Sequence, residues 1–428
     1  IPMNKETLKY LITEFHEKAL PAVLSRTMQL PVDSGKIIAL TGIRRSGKTF
    51  LMYQTIHQLL QKGVPKENIL YLNFEDDRLF PIQLQEMDLI LKAFHELHPE
   101  KIGEKKHLFF DEIQNVQGWE RYCRRICDHE QVSLFISGSS SHLLAGEIAT
   151  SLRGRSVTFQ VYPLSFAEFL HFKNIDVKPF SERSRVAVEH SLDQYLAIGG
   201  FPEVVQADEL LRPKILQEYA DLLLYKDLIE QYELKNQYLL KYLLKICFSN
   251  PATLLSTNKL YNDLKSQGVS ASKNTLYEYL EYMQNAFILF ATAIYDRSLR
   301  KQLQNPKKLY VIDIGLVSRF VANPLADLGR KLENMVFLHL KRQEKSVYYY
   351  RNTSEIDLVY ETGDHEIFVN VCHHFDQPST LEREIASLAS VHKKYPQAKI
   401  LLLSRNKPSQ RIPDFIESMS VVEFFREW

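Results

Sequence analysis

The stretch Gly42-Ile43-Arg44-Arg45-Ser46-Gly47-Lys48-Thr49 constrains this chain more than any other, because it fits the phosphate-loop pattern G-x-x-x-x-G-K-[ST]. Lys36 to Thr41 reads as a short apolar strand before it. Phe50 to Leu60 reads as a helix after it, with Phe50, Leu51, Ile56, Leu59 and Leu60 at helical spacing. The spelling has a physical cause. Two glycines let the loop turn tightly with its N–H groups facing inward as an anion nest, and the following helix adds orphan donors and a positive dipole end. Gly42 through Phe50 are therefore the expected nucleotide-binding residues, with Lys48 reaching the β- and γ-phosphates and the Thr49 hydroxyl holding Mg2+.

The chain before and after the loop repeats a strand–helix rhythm. Residues 3–30 carry apolar positions at helical spacing and predict a helix or two packed on this domain. Asn68 to Phe74 is a second buried strand ending in Glu75-Asp76-Asp77-Arg78; Glu75 and Asp76 stand open between nucleotide contact and a solvated loop. His107 to Phe110 runs into Asp111-Glu112, a Walker-B pattern in which a strand buried on both faces delivers two carboxylates at its end. Asp111 is expected in the Mg2+ shell and Glu112 as the catalytic group that orients or deprotonates water. Val132 to Ser137 is another buried strand ending in hydroxyls, and either Ser137 or Ser139 would sense the γ-phosphate. Arg155, in Leu152-Arg153-Gly154-Arg155, would stabilise transition-state charge in its own subunit or a neighbour's, or be a surface arginine. The alternation makes residues 3–162 a parallel α/β domain.

Residues 163–250 read as a helical lid region, broken by Gly199-Gly200-Phe201-Pro202. Residues 251–305 have the outline helix, turn, helix, β-wing of a winged helix. Its second helix would enter a DNA groove, yet it offers Glu278 and Glu281 beside Lys273, Tyr277, Tyr279 and Tyr282, which weakens that expectation. The basic run 297–308, with Arg297, Arg300, Lys301, Lys307 and Lys308, is either a nucleic-acid patch or a solvated loop. Residues 306–428 form a separate α/β unit, its last hundred residues in the order αβββαβ.

Taken together, Gly42–Thr49, Phe110-Asp111-Glu112-Ile113-Gln114-Asn115-Val116, Gly138–Leu144, Leu152–Arg155, Gly199–Glu203 and Leu309–Leu316 span almost the whole chain. In these motifs the chain resembles prokaryotic AAA-type ATPases that join an ATPase core to a winged helix and a C-terminal nuclease-like domain. The resemblance implies ATP binding and hydrolysis with Mg2+. It also implies a restriction-endonuclease-like fold at the C-terminus, where a helix acid, a strand aspartate and an E-x-K strand hold metal. Glu333 and Asp357 match the first two, but Asn370 and Cys372 stand where Glu and Lys belong. Neutral asparagine is a weaker ligand and cysteine cannot replace the cation, so a degenerate site without cleavage is expected.

Composition bounds the rest. At 428 residues two or three domains are expected, and a net charge of +1 gives no argument for wholesale nucleic-acid binding. The 4 cysteines show no zinc spacing, no apolar run approaches the roughly 18 residues of a membrane span, and no signal-peptide core opens the chain. The expected protein is cytoplasmic: a Mg2+-dependent ATPase acting as a nucleotide-controlled switch. An ATP-stimulated nuclease and an ATP-regulated protein-binding module are the alternatives. DNA, a protein partner or a second copy of the chain are the candidate partners.

Overall fold

The computed structural model describes residues 4–138, 151–178, 181–321, 327–352, 354–363, 365–375, 378–408 and 410–426. The chain divides into two compact units, residues 1–162 and 163–428.

The first unit contains α1 (Lys5–Glu17), β1 (Ile37–Thr41), α2 (Lys48–Gln61), β2 (Ile69–Asn73), α3 (Asp88–Leu97), β3 (Lys106–Asp111), α4 (Trp119–His129), β4 (Val132–Ser137) and β5 (Ser156–Gln160). Its five strands are all parallel, in the order β2-β3-β4-β1-β5. β1 and β3 are buried along their whole length, β1 as an almost continuous apolar run and β3 with the apolar centre Leu108–Phe110; β5, at the sheet edge, is largely half-exposed. Parallel pairing with Asn73 opposite Asp111 and Leu40 opposite Ser137 gathers the ends of β1–β4 at one carboxyl edge. One helix, α1, forms within residues 3–30; between Lys18 and the sheet the chain runs without regular structure.

The second unit opens with helices α5 (Phe166–Phe172), α6 (Glu182–Ile198), α7 (Pro202–Gln206), α8 (Arg212–Leu222) and α9 (Gln237–Ser249); α8 continues as a π-helical stretch over Leu223–Glu230. Then follow β6 (Thr253–Leu255), α10 (Thr257–Ser266), α11 (Lys273–Asn285), β7 (Leu289–Thr292), α12 (Leu299–Gln304) and β8 (Lys307–Val311). β8 pairs antiparallel with both β6 and β7 in a three-stranded sheet. The strand at 307–311, assigned from sequence to the last unit, therefore hydrogen-bonds with the segment before it. The remainder is α13 (Leu328–Arg342), β9 (Val347–Arg351), β10 (Glu355–Thr362), β11 (His365–Cys372), α14 (Pro378–Lys394), β12 (Lys399–Ser404), β13 (Ile416–Ser420) and α15 (Val421–Phe424). Its mixed sheet has the order β13-β12-β11-β10-β9, antiparallel from β9 to β11 and parallel beyond.

Two of the sequence motifs meet inside this unit. The N–H groups of Gly200 and Gly315 donate to the two oxygens of buried Asp313, at 2.7 and 2.8 Å. Burial pushes the Asp313 carboxyl up to about 6 against these backbone donors. Gly199 has φ +73°, and a Cβ there would stand 1.9 Å from an Asp313 oxygen. Gly199→Ala is expected to cost about 1–3 kcal/mol in urea unfolding through backbone strain and displaced Asp313. Gly268→Ala, also at φ +73° but facing open space, is the control and should cost less. Equal losses would mean that only the backbone angle matters.

Candidate nucleotide site and a buried charge cluster

The loop between β1 and α2 is shaped as its glycines require. Gly42 has φ +141°, and a Cβ on it would lie 2.3 Å from the Val161 carbonyl oxygen; Gly47, the residue before α2, has φ 99°. Lys48 is buried and its Nζ donates to the Gly42 and Ile43 carbonyls at 3.0 and 3.2 Å. The Ser46 hydroxyl is buried inside the loop with no hydrogen-bond partner among the described residues. Glycine cradle, buried ammonium and orphaned hydroxyl fit a phosphate chain. Phe50 fits less well as a binding side chain: it is 51% exposed, and only its place in the first turn of α2 puts it near the loop.

Asp111 is the hub of the edge. It is fully buried, and one of its oxygens accepts from Thr49 Oγ1 at 2.7 Å and from the Tyr71 hydroxyl at 2.8 Å. The other accepts from Ser137 Oγ. A Thr hydroxyl and a carboxylate this close are a donor set that suits Mg2+. Burial, with the facing Asp111 carboxylate, holds the Tyr71 phenol far above its usual range, so it stays a proton donor. Glu112 follows in the left-handed region at φ 52°, its N–H donating to Ser137 Oγ at 3.1 Å and its carboxylate accepting from Gln114 at 2.5 Å. That backbone turn separates the two carboxylates: Asp111 points into the hydroxyl cluster, while Glu112 is only partly buried.

The open alternatives of the sequence resolve unevenly. Glu75 stands at the same edge as Glu112: burial, then the Glu112 charge, raises its carboxyl, and Arg44 lies 3.6 Å away. Asp76 instead caps a 3-10 turn and pairs with Arg78 at 2.7 Å. Ser137 sits against Asp111, whereas Ser139 lies outside the described residues. Arg155 needs correction. Its carbonyl accepts from the N–H of Ile37, the first residue of β1, so it stands at the amino edge of the sheet. The phosphate loop is at the other end of that strand, about 15 Å along the chain direction. Arg155 instead pairs with Asp128 at 2.8 Å, and it cannot reach the site of its own chain. It immediately precedes β5, which runs parallel to β1 with Ser156 opposite Ile37, so it enters the sheet at the amino edge and its nearness in sequence misleads.

The second cluster lies in the second unit. Lys308, on β8 and buried, places its Nζ 2.9 Å from Glu333 of α13, 3.2 Å from Asp357 and 3.5 Å from Glu355, both of β10. The Tyr310 hydroxyl donates to Glu333 at 2.7 Å. Burial works against the Lys308 charge, but the carboxylates outweigh it and keep the ammonium charged. Burial and Asp357 push Glu333 up to about 8 against the pull of Lys308 and Tyr310. Asn370 is also engaged: it accepts from the Asp357 N–H at 3.2 Å and donates to Glu384 at 2.7 Å. Cys372 donates to the His374 carbonyl at 3.1 Å, and burial pushes its thiol up to about 11. Lys308 is thus no part of an exposed basic run. Similarly, Tyr279 of α11 is buried and Tyr282 stacks on Tyr232 at 4.0 Å, leaving Tyr277 exposed.

Residues 34–170 match the AAA domain family, and residues 189–326 match a domain of unknown function. An uncharacterized protein of Methanocaldococcus jannaschii is 36% identical over 370 residues, covering 85% of this chain and 80% of its own. An uncharacterized protein of Haemophilus influenzae is 34% identical over 396 residues, covering 92% of this chain and 94% of its own. The chain belongs to the family of these two proteins. Its first unit is an AAA-type P-loop ATPase domain. Among solved structures, a Walker-type ATPase of Pyrococcus abyssi aligns with a TM-score of 0.45 and 14% identity, over 74% of this chain and 95% of its own. No helix among the described residues is long and apolar enough to cross a membrane.

Three site residues escaped the sequence reading. Tyr71 looked like one more apolar strand position, and only the pairing of β2 with β3 brings its hydroxyl to Asp111. Arg26 lies in the irregular segment after α1, yet its guanidinium donates to the Ser46 and Tyr162 carbonyls, both at 2.9 Å. Lys308 was hidden among neighbouring basic residues. The alternation Lys-Leu-Tyr at 308–310, which turns Lys308 and Tyr310 to one face of a strand, was the available signal.

Proposed function

We propose that this protein binds and hydrolyses ATP with Mg2+ and uses the cycle as a switch on its second unit, which does not itself cut nucleic acid. The observation that carries it is the 2.7 Å bond from Thr49 to Asp111 beside the buried Lys48 ammonium. Lys48, Ser46 and the loop N–H groups bind the β- and γ-phosphates. Thr49 and Asp111 hold Mg2+, which when bound neutralises charge on the phosphates. Tyr71 and Ser137 keep Asp111 oriented by donating to it. Glu112 accepts the proton of the attacking water, and Gln114 holds its carboxylate.

The absence of cleavage rests on Lys308, whose ammonium fills the space between Glu333 and Asp357, and on Asn370, whose amide is committed to Asp357 and Glu384. Duplex DNA is the weaker partner for the switch, since exposed Glu278 and Glu281 lie on α11 and two of its three tyrosines pack inward. The test uses the full chain. Phosphate release from ATP is expected with Mg2+ and lost with a chelator, ATP should raise the melting temperature, and DNA should stay intact under Mg2+ or Mn2+. A chain that neither releases phosphate nor is stabilised by ATP would sink the proposal. Cleavage lost in Asp357→Ala would favour the nuclease instead.

A further inference from the structure

The three most exposed large aliphatic side chains among the described residues are Leu210 at 87%, Leu303 at 68% and Leu299 at 67%. They fall in two segments of opposite charge. Leu299 and Leu303 are four apart on α12, so they share one face. Around them stand exposed Arg297 and Arg300, which have no ion-pair or hydrogen-bond partner among the described residues, whereas Lys301 pairs with Asp296 at 3.3 Å. Leu210 projects from a tight turn closed by the Leu211 N–H on the Asp208 carbonyl at 2.9 Å. Asp208 and Glu209 in that turn are exposed, and their carboxylates have no partner among the described residues.

A surface made only to hold phosphates has no use for two leucines in its middle. Their burial, roughly 1.5–3 kcal/mol for each side chain, argues for a partner with apolar groups of its own. The acidic turn carries that complement, Asp208 and Glu209 for the arginines and Leu210 for the leucine pair. We propose that the Leu299/Leu303 face of one copy receives the Asp208–Leu211 turn of the next copy of the chain. The two patches differ, so the contact is head-to-tail and builds a ring or an open chain of subunits. It is small for a specific interface, so association is expected to rise with concentration and to weaken with salt.

Sedimentation velocity on the full chain tests this. Mass should increase with concentration, and Leu210→Ser or Leu299→Ser should each weaken association on the order of tenfold or more. Both sites are exposed, so neither variant should lose its fold. Glu209→Arg should weaken association as well, and adding Arg300→Glu in the same chain should restore it. The mixing experiment is the most discriminating. Leu210→Ser keeps a good leucine face and Leu299→Ser keeps a good turn, so an equal mixture should form dimers and nothing longer. A monomer at every concentration, association indifferent to these changes, or a mixture that stays monomeric would overturn the proposal. So would a Leu299→Ser variant that loses duplex DNA binding while its mass profile stays that of the parent.

Discussion

Glu112→Gln is expected to bind ATP like the parent and to release phosphate about 10²- to 10⁴-fold more slowly, the range that a general base contributes. The substitution keeps the size and hydrogen-bonding reach of the side chain and removes its basicity. The left-handed backbone at this position, φ 52°, is tolerated equally by glutamine, so the local turn should survive. Lys48→Ala should fail differently. It removes a buried ammonium from the loop, and each lost charge-assisted contact is about 1.5–3 kcal/mol, so ATP affinity should fall on the order of 10- to 100-fold along with turnover. Titration calorimetry with ATP and a phosphate-release assay on both variants separate binding from chemistry. If Glu112→Gln turns over ATP at the parental rate, the base lies elsewhere, and Glu75, beside Glu112 at the same edge, is the next residue to change.

Lys308→Met should cost about 3–5 kcal/mol of stability, the usual penalty for stripping one partner from a buried ion pair. Methionine fills most of the volume but leaves Glu333 and Asp357 facing each other without a cation. Adding Glu333→Gln and Asp357→Asn removes the carboxyl groups left without their cation and should recover most of the loss. Urea unfolding of the three proteins reads both steps. A single variant within about 1 kcal/mol of the parent would mean that water reaches the cluster and screens it.

What could be read from the chain follows the range of the interaction. The phosphate loop and the Walker-B strand are local patterns, so Gly42–Thr49 and Asp111-Glu112 stand where their spelling puts them. Contacts made across strands were not legible. Ser137 and Tyr71 reach Asp111 only because of the register among β2, β3 and β4. Arg155 shows the opposite error, since sequence proximity carries no information about which end of a parallel sheet a residue will occupy. The Gly199-Gly200 break was visible as a break; that it closes around Asp313, more than a hundred residues later, was not.

Arg26 has a mechanical consequence. One guanidinium grips the Ser46 carbonyl of the phosphate loop and the carbonyl of Tyr162, the last residue of the first unit. The preceding residue is pinned too, its N–H on the Thr41 carbonyl at 2.7 Å and its own carbonyl against Gly42. The guanidinium thus joins the phosphate loop to the last residue of the first unit, so a change in the loop's shape would load the bonds that hold Tyr162.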